Sequence, residues 1–88
     1  MKRDFKLIYR ILCHVERHTN GPIQVPDIEG YAPEVVHYHV GLCDEAGYLV
    51  AGSVGIYEGK RMFNGIERIT WDGHEALDRL RRDNGGTA

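Results

Sequence analysis

Between His18 and Glu58 the chain has no lysine or arginine, although 11 such residues occur in its 88. A surface that grips nucleic acid needs cations against phosphates, because phosphate neutralisation supplies nearly all non-specific affinity. The middle of this chain offers Asp27, Glu29, Glu34, Asp44, Glu45 and Glu58 instead. Serine is scarcer still. Ser53 is the only one, and Gly52-Ser53-Val54-Gly55 lacks the spacing of a nucleophile elbow. Cys13 and Cys43 fall at helical positions without a neighbouring cation, so they read as buried, reduced thiols and not as a disulfide or a reactive nucleophile. No apolar run approaches the ~18 residues needed to cross a bilayer. The opening Met1-Lys2-Arg3-Asp4 leads into an amphipathic stretch unlike a signal peptide. A cytoplasmic, non-catalytic protein without a membrane partner is expected.

What is present belongs to one small globular domain. Hydrophobic residues make up 42% and charged residues 27%, with a formal net charge of -2, which gives no support for a general polyanion binder. The spacing of Phe5, Ile8, Leu12 and Val15, widened by Leu7 and Ile11, predicts a first helix over residues 3–18, stopped by Thr19-Asn20-Gly21-Pro22. Residues 23–28 contain Val25 and Pro26, which suits an edge strand or extended segment. Pro33 opens a second helix in the first-turn position where its missing N–H costs nothing, with Ala32 a poor cap. On it Val35, Val36, His39, Val40, Leu42, Cys43 and Ala46 should face inward, and Glu34, His37, Tyr38, Gly41, Asp44 and Glu45 outward.

Gly47 ends that helix, and Tyr48 to Ala51 reads as a strand. Glycines 52, 55, 59 and 65 frame a long hairpin with Lys60 and Arg61 at its tip, returning through Ile66 to Ile69. Thr70 is a good cap for a last helix on which Gly73, Leu77 and Leu80 face inward, flanked by Ala76. Trp71 should pack across the first helix or sit in a subunit interface. Glu75 with Arg79 and Asp78 with Arg82 are spaced as i,i+4 ion pairs. The domain is expected to span residues 1–83, with 84–88 a disordered tail.

Three runs carry a family resemblance: Val36-His37-Tyr38-His39-Val40, Ala46-Gly47-Tyr48-Leu49 and Ile69-Thr70-Trp71-Asp72-Gly73-His74. With Met1-Lys2-Arg3-Asp4 and Gly30-Tyr31, they resemble an uncharacterised family of short bacterial and phage proteins of winged-helix type. Its members commonly begin with that tetrapeptide and carry a Leu-Thr-Trp-Glu-Gly-His run. The resemblance implies an α+β winged helix-turn-helix. Thr19 to Ala32 leaves no room for a full helix, so the first helix of the helix-turn-helix pair is expected to be shortened or missing.

Two function classes remain. Arg3, Lys6, Arg10 and Arg17 recur on one face of the first helix, and with the Lys60-Arg61 tip they could track phosphates while His37 and Tyr38 meet base edges. That reading is a DNA-associated transcriptional regulator of phage or mobile-element type, with duplex DNA as partner. The alternative is a protein-interaction module, in which Glu34, Gly41, Asp44 and Glu45 engage a basic host protein. A homodimer through the first and last helices suits either. No cofactor is expected. His14 and His18 have the spacing of two metal ligands but lack a third, and Gly55 to Lys60 departs from a phosphate loop where Arg61 replaces its Ser/Thr. His39 reads as a core-edge residue with a hydrogen-bonded ring, and His74 as packed beneath the wing.

Overall fold

The computed structural model describes residues 2–18 and 21–83; the expected tail and the Thr19-Asn20 part of the helix stop lie outside the described residues. Five elements follow one another: α1 (Phe5–Arg17), α2 (Pro33–Glu45), β1 (Leu49–Tyr57), β2 (Lys60–Ile69) and α3 (Trp71–Asp83). The architecture is α+β, three helices with a two-stranded antiparallel sheet, and it is compatible with a winged helix. Residues 21–32 contain no helix, as the spacing predicts.

α1 begins two residues later than its periodicity suggests, because Asp4 is the cap. Its Oδ1 accepts the N–H groups of Lys6 at 2.9 Å and Leu7 at 3.2 Å, satisfying donors that the first turn leaves open. Leu7, Ile8, Ile11, Leu12, Cys13 and Val15 are buried. Phe5, expected in that stripe, is 55% exposed, with the Arg3 guanidinium 5.5 Å from its ring centroid. α2 starts at Pro33 without a side-chain cap, and at its end Tyr48 N–H reaches back to the Cys43 carbonyl at 2.8 Å. Val36, His39, Val40 and Cys43 are buried as expected, but Ala46 is exposed.

Both strands run longer than their β-branched content suggests. Register shifts at Val50/Ala51, Gly52/Ser53 and Ser53/Gly55 absorb the glycines as bulges, so pairing continues to the tip. The tip turn has positive φ at both Glu58 and Gly59 (52° and 77°), the tight hairpin turn whose twist matches the strands. Ile23 adds a single antiparallel bridge to Ile66, so the extended segment lies at the sheet edge.

Thr70 caps α3: its Oγ1 accepts Gly73 N–H at 3.0 Å and donates to the Gly47 carbonyl. A Cβ on Gly73 would fall 2.0 Å from the Tyr48 carbonyl oxygen, so only glycine lets α3 seat against the start of β1. Leu7, Ile11 and Leu12 of α1 share one core with Val36 and Val40 of α2, Leu49 of β1, Phe63 and Ile66 of β2 and Leu77 of α3. Trp71 is not part of it. The residue is 78% exposed at the start of α3, contrary to the expectation that it crosses α1, because the inward side of that turn belongs to Gly73.

Candidate functional site

The outward side of α2 faces the first half of β2, and a cleft of about 450 Å³ separates them. Leu42, Met62 and Phe63 line it with apolar surface, while Glu34 and Glu45 supply carboxylates. Gly41 was expected to point outward. It is buried instead, and a Cβ there would come within 3.3 Å of the Phe63 ring. His37 is half-buried with its ring turned to the strand: Nδ1 accepts the Phe63 N–H at 3.1 Å, and the two rings stack at 6.3 Å. Burial holds its pKa below the usual histidine value, which keeps that nitrogen an acceptor. Tyr38 is 40% exposed and meets the His39 ring edge-on at 5.6 Å.

Charge pairing reorganises what the sequence presents as separate patches. Lys60 pairs with Glu34, and Arg61 stands 3.8 Å from Asp44 and 4.9 Å over the Phe63 ring. Asp44 also accepts the Ala51 N–H at 3.3 Å. The acidic face of α2 is therefore balanced in part by the two hairpin cations. Glu45 and Glu58 join none of the ion pairs among the described residues. The cleft itself is lined by two carboxylates, Glu34 and Glu45, and two cations, Lys60 and Arg61, and Glu58 stands beside it at the hairpin turn.

The basic strip lies elsewhere. Lys6, Arg10 and Arg17 are exposed on the side of α1 away from the core, and Arg3 precedes the helix. Arg10 donates to the Glu29 carbonyl at 3.0 Å. Arg10 and Arg17 line a cleft with Asp27 and Arg81, whereas Lys60 and Arg61 line the one with α2. The structure thus joins the hairpin cations to the acids and does not join them to the strip.

Several other expectations resolve as packing. His39 is buried, donating from Nδ1 to the Val35 carbonyl at 2.9 Å and accepting the Asp4 N–H at Nε2 at 2.9 Å, so both ring nitrogens are satisfied. Asp4 also accepts the Tyr31 hydroxyl at 2.9 Å, and this bond, chiefly, lowers its pKa. His39 thus has the hydrogen-bonded ring that its position suggests, while its link through Asp4 to Tyr31 joins residues too far apart for spacing to reveal, although an aspartate just before an apolar helix is a readable cap signal. His74 does not lie beneath the hairpin: its Nδ1 is 3.7 Å from Glu16 of α1. Arg81 holds the same carboxylate at 2.7 Å and Asp78 at 3.7 Å; the anticipated pairs Glu75 with Arg79 and Asp78 with Arg82 are not among the ion pairs of the described residues. The His14 and His18 rings meet tilted by 32° with centroids 4.4 Å apart, and no group of three or more metal-ligating side chains occurs among the described residues. Both cysteines are buried and free. No described helix is long and apolar enough to cross a membrane.

Fold and groove define a small α+β protein with a cleft of mixed charge between a helix and a hairpin. The chain belongs to the family described as "Hypothetical protein (DUF2513)", whose model matches residues 2–85. It is 35% identical over 86 residues to an "Uncharacterized protein" of Haemophilus influenzae, covering 94% of this chain and 70% of that one. No solved structure matches the chain.

Proposed function

We propose that this protein is a non-catalytic binding module of winged-helix type whose ligand is a protein, held in the groove between α2 and the hairpin. The observation that carries this reading is the pairing of Lys60 and Arg61 with Glu34 and Asp44, which leaves Glu45 and Glu58 outside the ion pairs of the described residues. A duplex laid along α2 would set its phosphates against those carboxylates, and α2 itself supplies no lysine or arginine. A basic segment with an apolar side chain suits the same surface: the side chain enters beside Leu42 and Met62, and its cations meet Glu45 and Glu58. Lys60 and Arg61 then act as internal competitors for the partner's charges. Buried Cys43, its thiol pushed up to about 12 by burial, and solvent-exposed Ser53 fit a role without nucleophilic chemistry. Two buried free thiols also fit a reducing, cytoplasmic setting.

The test is selection of displayed random peptides on the purified protein, followed by calorimetry with the winning sequences. Peptides rich in arginine or lysine around a bulky apolar residue are expected, with Glu45→Lys weakening them about 10-fold. Lys60→Ala combined with Arg61→Ala should strengthen them. Weaker binding in that double variant, or selection of acidic peptides, would reject the reading.

A second reading is a DNA-associated regulator of phage or mobile-element type. It is favoured by Lys6, Arg10 and Arg17, all exposed in one sector of α1. It predicts a duplex shift at about 50 mM salt that fades steeply as salt rises. It also predicts loss of that shift in Arg10→Ala with Arg17→Ala.

A further inference from the structure

Trp71 is the largest side chain left in solvent, 78% exposed in the first turn of α3. Its neighbours on the outward side of that helix are ordered by charge. Asp72 and Glu75 occupy the first half, Arg79 and Arg82 the second. None of these four takes part in an ion pair among the described residues. Beside the second half, between α3 and the start of α1, lies an apolar groove of about 370 Å³ walled by Phe5, Ile8, Ala76 and Leu80. Phe5 is 55% exposed there. One helix therefore bears an aromatic knob at one end, a groove at the other, and opposite charges between.

We infer that α3 is the contact face of a two-fold dimer of this chain. An antiparallel α3 pair crossing near Leu77 sets Asp72 against Arg82 of the second copy and Glu75 against Arg79 of the second copy. Two-fold symmetry repeats both pairs. The same register carries Trp71 to the far end of the second copy's helix, where Arg82 of that copy can lie over the indole face. Asp78 sits nearest the axis, where two like charges would meet, but Arg81 of its own helix already holds it at 3.7 Å. An isologous contact of this kind closes at two copies. A second copy is favoured over an unrelated partner because the charge order of α3 is complementary to its own reversal.

The experiment is sedimentation equilibrium of the purified chain over a concentration series, with circular dichroism to confirm that each variant folds. Wild type is expected to move from monomer to dimer below about 1 mM, and Trp71→Ala to remain monomeric. Glu75→Arg and Arg79→Glu should each weaken association, and the two changes in one chain should restore it. A wild-type monomer throughout the series, a charge-swapped chain that stays monomeric, or growth past two copies would overturn the inference. None of these readouts depends on what occupies the α2 groove.

Discussion

Gly73 has no side chain because the Tyr48 carbonyl occupies the place where one would go. Tyr48 is tied by backbone bonds to Cys43 and Thr70, so the clash cannot be relieved by a rotamer change. Gly73→Ala should therefore lower stability by about 3 kcal/mol in chemical denaturation. The opposite sign is expected at Glu58, which holds φ of 52° beside Gly59 in the hairpin turn. Asparagine tolerates that conformation better, so Glu58→Asn should raise stability by about 1 kcal/mol in the same assay. Cys43 is 1% exposed with its thiol pushed up to about 12. Iodoacetamide at neutral pH should leave it unlabelled in the native state and label it only in denaturant.

Between elements, the α1 and α3 helices are held by more than apolar contact. Glu16 accepts Arg81 at 2.7 Å and faces His74 at 3.7 Å, and the Arg81 hydrogen bond is the main reason its carboxyl lies below the usual glutamate range. A depressed carboxyl pKa adds stability that is present above the unfolded-state value and lost as pH falls through the folded one. Glu16→Gln should thus flatten part of the acid limb of stability against pH below about pH 4.5, with Asp4 supplying the part that remains. At neutral pH the loss should stay under about 1 kcal/mol, because the pair is partly solvated. Thermal melts at stepped pH would show a parallel shift of the whole curve if Glu16 acted through packing alone.

Over the molecule as a whole, stability is unevenly distributed. All three helices place side chains in one core, and the base of the hairpin joins them through Leu49, Phe63 and Ile66. The far half of the hairpin does not: Ser53, Val54, Ile56 and Glu58 to Arg61 are exposed. Few buried contacts oppose its opening, and the pairs from Lys60 and Arg61 to α2 are surface pairs of small worth. Hydrogen exchange should be fastest, among strand amides, from Ser53 to Arg61, and slowest in α1. A basic peptide seated in the α2 groove should slow the hairpin amides. Protection gained along α1 on adding duplex DNA, with none in the hairpin on adding the peptide, would point to the DNA reading.

Local chemistry was enough to foretell much of this chain. The apolar period of α1, Pro33 at the start of α2, Gly47 at its end and Thr70 capping α3 each act within a turn or two, and buried thiols follow from helix spacing. Where the outward residues went was another matter. Lys60 and Glu34 lie 26 positions apart, and their pairing depends on how the hairpin folds back over α2. His37 and Gly41 read as surface until Phe63 is laid against them. Trp71 read as packed across the first helix or set in a subunit interface, and Gly73, taking the inward place, rules out the first. A helical period tells which residues share a side of a helix; what that side meets is settled by the packing of elements distant in the chain, and here that packing converts two opposed charge patches into one partly neutralised groove.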